Sequence, residues 1–434
     1  MEEPKLSDDV FEQIKNFDHR KLTEEQILLI DKLILNEELK ECYKKNGLCK
    51  ECKQPKNSSN WCQCKFQQNF KNWTSGNIEV DEFIQKSQLK AKNYVKILEW
   101  IEYDRFENVE YLAKGGDKYW CEGYKNYPVV LKCLHNSQDI TAEFLREIEL
   151  HIVVGDSLSV INCHGITKDP ESNNFMIVMT YAQNGSLRQY LNKSFNSMSW
   201  KEKLSILQMT AYGLNNIHRE RLIHRDFHCG NILSEIQGIS ITDLGLCRPA
   251  NAKPSQDEYK KIYGVLPYIA PEVLRGKEYT QESDIYGFGI IAYEVCTGLP
   301  PYHNIAHDKI LTISICQGLR PKSDYKIPQS ILDIIKQYGL YRDLIRSSSE
   351  QEIEKQIIEA DKINEKLTTT SSLYTGATLS YVTNPQAFYT SRLLDFKNLP
   401  EPKNAIDNKD DSFGEYSESI ESIDFTKLNI DKSN

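Results

Sequence analysis

No apolar run in this 434-residue chain approaches the roughly 20 residues that a membrane span requires. The longest, Tyr286 to Cys296, is broken by Glu294, so no span is predicted. A basic-then-apolar leader is also missing: the chain begins Met-Glu-Glu-Pro-Lys-Leu-Ser-Asp-Asp, which argues against secretion and predicts a cytoplasmic protein. Positive charge is short as well. With 53 Lys and Arg against 62 Asp and Glu, a net charge of −9, the chain lacks the basic face that binding nucleic-acid phosphates requires. Nine carboxylates against four lysines fall between Glu401 and Asn434, which leaves the remainder close to neutral. There is no internal repeat. Cysteine, by contrast, is plentiful at 12 residues, and in a reducing compartment these are thiols or metal ligands rather than disulfides. The composition is otherwise globular, and the length suggests two or three domains.

Residues 1–22 are polar with few apolar anchors and are expected to be disordered; a helical segment spans 23–105. From Thr23, Thr-Glu-Glu-Gln forms a capping box, and Ile27, Ile30, Leu33 and Ile34 continue at helical spacing to about Glu41. Cys49-Lys-Glu-Cys52 and Cys62-Gln-Cys64 follow, separated by a short polar turn. Two such pairs can meet as knuckles around one tetrahedral zinc, with Cys42 left over; the alternative is a metal-free loop of reduced thiols. Asp81 to Tyr103 reads as a second helix with an apolar stripe from Phe83 to Ile101, in which Trp100 is either a core anchor or a docking residue.

Chemistry-bearing residues concentrate at His224 to Asn231, His-Arg-Asp-Phe-His-Cys-Gly-Asn, where an aspartate stands five residues ahead of an asparagine in a polar loop. Such a loop presents a base and a hard oxygen ligand to one phosphate. Asp243-Leu244-Gly245 follows the β-branched run Ile239 to Thr242, Ala270-Pro271-Glu272 lies further on, and Val129-Val130-Leu131-Lys132 precedes all three. In this order and at these spacings the motifs resemble those of the eukaryotic protein kinase superfamily. The cysteine-rich stretch 49–64 is similar to a zinc-ribbon-like hairpin ahead of the kinase domain in some fungal kinase-like families, so the likeness as a whole is to a tyrosine-kinase-like, fungal-type protein kinase. It implies an α+β bilobal fold over 106–337, with a small antiparallel-sheet N-lobe and a mainly helical C-lobe.

The resemblance also implies roles. Asp226 would take the proton of the acceptor hydroxyl, and Asn231 and Asp243 would hold Mg²⁺ against the phosphates of ATP. Lys132 would contact the α- and β-phosphates and pair with Glu147, with Glu143 the competing candidate. Gly115, Gly116, Val130, Met179, Thr180, Ala182 and Leu233 would line the nucleotide, Met179 at the back of the adenine pocket and Thr180 to Ala182 as the hinge. Asp284 would anchor the backbone of the catalytic loop, and Arg225 would pair with a phosphate on Ser255, Tyr259 or Tyr263. The chain also departs from the pattern. Gly115-Gly116-Asp117-Lys118-Tyr119-Trp120 lacks the third glycine of the phosphate-covering loop, and Asp117 to Asn126 leaves the second strand short or absent. His228 replaces the usual lysine, and Val265 stands where many serine/threonine kinases carry a threonine that bonds the catalytic aspartate. The C-lobe looks shortened by about two helices, with Arg342 or Arg346 the candidates to partner Glu272.

A helical extension is expected over 338–367, either packed on the domain or paired as a short coiled coil, and a disordered acidic tail over 368–434. Within the tail, Phe388 to Pro402 carries Tyr389, Leu393, Leu394, Phe396 and Leu399, a docking segment or nothing more. Three readings follow: an ATP- and Mg²⁺-dependent serine/threonine kinase acting on protein substrates; a pseudokinase-like scaffold with little phosphoryl transfer; or a zinc-dependent interaction protein. A signalling partner would dock on the acidic tail or on the cysteine-rich segment.

Overall fold

The computed structural model describes residues 5–57, 62–91, 96–113, 118–124, 127–133, 138, 140–154, 159–236, 238–251, 262–322, 325, 327, 355, 358–364, 374, 378–395 and 399. The chain divides into two compact units, the first formed by Met1–Asp156 with Asn162–Tyr181, the second by Ser157–Ile161 with Ala182–Asn434.

The first unit opens with α1 (Asp8–Ile14), α2 (Glu24–Leu33) and α3 (Glu37–Asn46), capped by Ser7, Thr23 and Asn36. Their apolar stripes meet in a small core of Ile14, Ile30, Ile34 and Tyr43, whose hydroxyl donates to the carbonyl of Ile14 at 3.2 Å. The helices α4 (Cys64–Asn69) and α5 (Ile78–Lys90) complete the N-terminal part. The sheet that follows comprises β1 (Glu99–Trp100), β2 (Glu107–Ala113), β3 (Lys118–Tyr124), β4 (Tyr127–Cys133), β5 (Cys163–Lys168) and β6 (Phe175–Thr180), with α6 (Ala142–Val154) between β4 and β5. Its order is β1-β5-β6-β4-β3-β2, antiparallel throughout except for the β1–β5 pair. Ile101, Phe106, Val129, Leu131, Cys133, Met176 and Val178 pack as its core.

The second unit is largely helical: α7 (Leu187–Ser194), α8 (Trp200–Arg219), α9 (Pro271–Leu274), α10 (Gln281–Thr297) and α11 (Lys309–Cys316). Capping boxes at Ser186, Ser199 and Thr280 start three of these. Helix α10 is buried over nearly its whole circumference, as a helix apolar all round must be, and Gly298 in the left-handed region ends it. Short two-stranded pairs hold the loops: β7 (Leu222–Ile223) with β10 (Arg248–Pro249), β8 (Ile232–Glu235) with β9 (Gly238–Ile241), and β11 (Ile262–Gly264) with β12 (Arg392–Leu394).

Several expectations change. Residues 1–22 are not simply disordered: Leu6, Val10, Ile14 and Phe17 lie at helical spacing and find their partners in α2 and α3. The helix expected to run from Thr23 to Glu41 breaks at Ile34, whose backbone is extended, and Asn36 restarts it. The helix expected over Asp81 to Tyr103 stops at Lys90. Leu98 and Ile101 are buried as strand-edge residues, and Gln88 on α5 donates to the Leu98 carbonyl at 2.8 Å, tying the helix to β1. Trp100 is half-buried on β1, edge-on to Phe175. Strand β3, expected to be short or absent, runs seven residues, because Tyr119, Trp120 and Cys121 favour strand and Tyr124 pairs directly with Tyr127 across the hairpin. The tail is not uniformly disordered either: residues 378–395 are placed, and β12 gains its hydrogen bonds from β11 rather than from its own neighbours in sequence. The second half of the expected helical extension shows helix at 358–364; residues 338–354 and 401–434 lie outside the described residues.

One buried cation in the second unit has no carboxylate at contact distance among the described ion pairs. Lys203, on α8, directs its ammonium at the rings of Phe195, Trp200 and Tyr325, 3.8 to 4.6 Å from their centroids, and donates to the Tyr325 hydroxyl at 3.3 Å. Burial brings its pKa down to about 7, against 10.5 for an ordinary lysine. Between those two values the unfolded chain binds a proton that the folded chain does not, so stability rises with pH across the window. We expect Lys203→Met to remove that rise and to stabilise the protein near neutral pH by about 1–3 kcal/mol, less than the full shift because the ring faces retain part of the cation's energy. Unfolding midpoints of both proteins between pH 7 and 10 check this; parallel curves would contradict it.

Candidate active site

The loop at 224–231 takes its shape from α10. Asp284, within the buried turn of that helix, accepts from the backbone N–H groups of His224 at 2.7 Å and Arg225 at 3.0 Å, and bonds the His218 Nε2 at 2.9 Å. Three partners are what a buried carboxylate needs. One turn on, Gly287 lets the loop come close: a Cβ there would sit 2.8 Å from the Phe227 carbonyl oxygen. Arg225 adopts the left-handed region, φ 71°, and lays its guanidinium 4.9 Å from the Tyr279 ring.

Within the loop each polar atom has a defined direction. The Asp226 N–H donates to His224 Nδ1 at 3.3 Å, so the His224 proton is on Nε2, which faces the Thr242 carbonyl oxygen at 3.3 Å; burial pushes this imidazole's pKa down. Asn231 Nδ2 donates to the Asp226 carbonyl at 2.9 Å and to its Oδ2 at 3.2 Å, which fixes the carboxylate plane. His228 Nδ1 accepts from the Gly230 N–H at 2.9 Å, which leaves the proton on Nε2, 3.4 Å from Asp226 Oδ1. Burial works to raise the pKa of Asp226, but the His228 imidazole and the hydrogen bonds from His228 and Ser391 outweigh it and hold the carboxyl below its usual range. Asp226 is therefore ionised at neutral pH. Asp243, after β9, sits in the left-handed region at φ 61°, ψ 62°, a conformation that aspartate tolerates and that is frequent at functional positions. The bond from the Thr242 N–H to the Asn231 carbonyl, 2.9 Å, couples it to the loop.

In the first unit, Lys132 on β4 places its Nζ 2.6 Å from Glu147 Oε1 on α6, and both side chains are buried. Glu143, the competitor, is exposed. Val130 and Met179 are cross-strand partners, Thr180 pairs with Val129, and the Thr180 hydroxyl bonds His164 Nε2 at 2.9 Å. In the second unit Ala182 accepts from the Gly185 N–H at 3.0 Å, and Leu233 bridges Ser186. Gly115 and Gly116, Ser255 and Tyr259, and Arg342 and Arg346 lie outside the described residues.

A family model described as "Protein tyrosine and serine/threonine kinase" matches residues 111–355, more than half of the chain. This chain belongs to that protein kinase family. Among its relatives are the probable serine/threonine-protein kinase roco5 of Dictyostelium discoideum, 30% identical over 53% of this chain and 8% of that protein, and the ankyrin repeat-containing protein kinase A of the same organism, 30% identical over 49% and 15%. The Aurora kinase of Schizosaccharomyces pombe is 28% identical over 54% of this chain and 65% of its own length. The chain thus spans less than a fifth of the first two relatives. The kinase match continues 18 residues past the expected boundary at Gln337, and starts five after Phe106.

The kinase residues fit the group that the family uses. Asn231 and Asp243 offer amide and carboxylate oxygens with no thiolate or imidazole, the donor set of a hard cation such as Mg²⁺, and Asp226 Oδ1 is buried with His228 Nε2 3.4 Å away. No helix among the described residues is long and apolar enough to cross a membrane.

A second candidate centre stands in the first unit. The Sγ atoms of Cys49, Cys52, Cys62 and Cys64 all lie within 4.8 Å of one another, with Cys49–Cys64 at 3.6 Å and Cys52–Cys62 at 3.4 Å. Four thiolates about 2.3 Å from one zinc would be about 3.8 Å apart, so the cluster fits. The first pair lies on a knuckle closed by the Cys49 N–H on the Gln54 carbonyl, with Lys53 at φ 60°. The second pair does not form the expected second knuckle: Cys64 opens α4. Burial raises the pKa of Cys62 to about 11 and that of Cys64 further.

Two contacts went unread in the sequence. Arg188 makes a bidentate pair with Glu294, Nε–Oε1 2.8 Å and Nη2–Oε2 3.2 Å, with the Tyr268 hydroxyl on the same carboxylate; this explains the glutamate in an apolar run. Ser391, from the far end of the chain, donates to Asp226. Neither partner is near in sequence, so spacing carried no signal of either. We expect Asp284→Ala, which strips an acceptor from two buried amides and His218, to destabilise the fold by about 2–4 kcal/mol and to expose the amides of His224 and Arg225 to hydrogen exchange. Undiminished protection of those amides would show that the anchor is elsewhere.

Proposed function

We propose that this chain is an active kinase that transfers the γ-phosphoryl group of ATP to serine or threonine hydroxyls of protein substrates. The observation that carries this reading is the Lys132–Glu147 pair at 2.6 Å, both partners buried. Removing two charges from water is costly, and a short pair in this place is the arrangement that phosphate binding by a kinase requires. The relatives named serine/threonine-protein kinases support the acceptor class. In this reading Lys132 donates to phosphate oxygens, and Asp226, its carboxylate plane fixed by Asn231, takes the acceptor's proton. His228 stands beside it, its Nδ1 accepting from the Gly230 amide and its Nε2 facing the acceptor side. Bound Mg²⁺, held by Asn231 and Asp243, would neutralise phosphate charge. The pseudokinase-like reading rests on one specific feature, the Gly115-Gly116 segment without a third glycine. We further propose that the four clustered cysteines hold one structural zinc, with no open position for catalysis, and that the kinase acts in the cytoplasm.

Purified protein with labelled ATP and Mg²⁺ should phosphorylate casein, and Asp226→Asn should lower the rate by about 10²-fold or more while nucleotide still raises the melting temperature. Equal incorporation by both proteins would reject the reading. Dialysed protein should carry about one zinc per chain, and Cys49→Ser with Cys64→Ser should release it; folded, metal-free protein would remove this site.

A further inference from the structure

The catalytic aspartate already holds a serine hydroxyl. Ser391 Oγ donates to Asp226 Oδ2 at 2.5 Å and lies 3.1 Å from His228 Nε2. Since His228 Nδ1 accepts from Gly230, its Nε2 carries the proton and faces Ser391 Oγ as well as Asp226 Oδ1, and the Ser391 O–H donates to Asp226 Oδ2. A hydroxyl whose proton is already directed at a buried carboxylate is placed as a nucleophile.

The backbone around Ser391 is seated as an extended peptide. Strand β12 pairs antiparallel with β11, Arg392 opposite Gly264, Leu393 opposite Tyr263 and Leu394 opposite Ile262. Strand β11 lies between Asp243 and Ala270-Pro271-Glu272, so the tail adds a strand to the segment that frames the catalytic loop. The flanking side chains occupy separate places. Tyr389, two residues before the serine, lies under the Arg188 guanidinium at 4.5 Å and donates to the Pro301 carbonyl at 2.8 Å. Arg392, directly after it, donates to the His307 carbonyl at 2.9 Å and covers the Phe388 ring. Leu394, three residues after, is buried, and His307 is bonded on both sides, by its N–H to the Gln386 carbonyl at 2.9 Å and by Nδ1 to the Phe388 carbonyl at 3.0 Å. A chance crossing of a polar tail would not place strand register, two cation–ring contacts and a nucleophile together.

We propose that residues 386–395 are the kinase's own acceptor peptide, and that Ser391 is phosphorylated in cis. This rests on the kinase reading above and adds the identity of its first substrate. In the step, Ser391 Oγ forms a bond to the γ-phosphorus of ATP as the bond from that phosphorus to the β–γ bridging oxygen breaks. ADP leaves with the electron pair, and the hydroxyl proton passes to Asp226. Once Asp226 has given that proton up to solvent, the product's phosphate, with close to two negative charges, faces its carboxylate, which repels it. The segment therefore leaves once phosphorylated and clears the acceptor site for other proteins. External acceptors should share its pattern: an aromatic residue two before the serine, arginine directly after it and leucine three after.

The test uses the full chain with Mg²⁺ and ATP over a hundredfold range of protein concentration, with Ser391 phosphate measured by mass spectrometry and casein as external acceptor. The expected result is phosphate at Ser391, formed with one first-order rate constant at every concentration, and casein phosphorylation that starts after a lag which Ser391→Glu abolishes. Ser391→Thr, which keeps a hydroxyl, should still be modified at that position. Casein phosphorylation with Ser391 unmodified would overturn the proposal and leave the kinase reading intact; Ser391 would then merely supply the hydroxyl that Val265 lacks. A rate at Ser391 that rises in proportion to protein concentration, or a lag unchanged in Ser391→Glu, would also overturn it. Transfer to neither acceptor would overturn the kinase reading itself.

Discussion

A carboxylate buried inside a helix has to be fully bonded, and the geometry of the catalytic loop follows from how Asp284 meets that demand. It takes two backbone amides of the loop and one imidazole, each near 2.7 to 3.0 Å, and so converts a desolvation cost into a positional constraint. Gly287, a turn later, lets the loop approach without a Cβ in the way. From those two contacts the rest follows in sequence: Arg225 is turned into the left-handed region, His224 is fixed as a neutral tautomer, and Asp226 is presented with its carboxylate plane set by Asn231. Asp226 is held rigid because a residue more than fifty positions away cannot leave its own charge unpaired.

The same rule orders the other buried charges. Lys132 and Glu147 satisfy one another in the first unit, and Arg188 and Glu294 do so in the second. Lys203 follows a different rule, in which three aromatic faces replace the carboxylate. Each pair is weak evidence of stability in itself, since the Coulomb gain little more than offsets desolvation. What the pairs supply is position: an ammonium over β4, and a guanidinium that both neutralises Glu294 and stacks on Tyr389. The tail thus finds a docking surface built from a charge pair that the helices needed in any case.

The kinase motifs were legible because their constraints are local. An aspartate and an asparagine five apart, an aspartate after a β-branched strand, and an Ala-Pro-Glu turn each encode their own short backbone geometry, and their order along the chain conveys the family. Glu147 rather than Glu143 meets Lys132 because Glu147 is among the buried residues of α6 while Glu143 is exposed. The limits of α5 were not legible. Leu98 and Ile101 continue a helical spacing by coincidence, and their burial is explained by the sheet they enter, which sequence periodicity does not report. Strand β3 was not legible from the missing third glycine; its pairing with β4 agrees instead with the strand-favouring Tyr119 and Trp120 in its sequence.

By itself the sequence determined the kinase-like catalytic elements, the cysteine spacing that permits a four-thiolate cluster, and the absence of an apolar stretch long enough for a membrane span, because each is a property of a short stretch of chain. The tertiary structure alone decided where the tail goes. Residues 386–395 have no helical or alternating period of their own, and their order is supplied by partners at residues 188, 226, 262–264, 301 and 307. Hydrogen bonds lent by another strand leave no mark in the borrowing sequence, so the serine resting on Asp226 could be found only once the chain had folded back on itself.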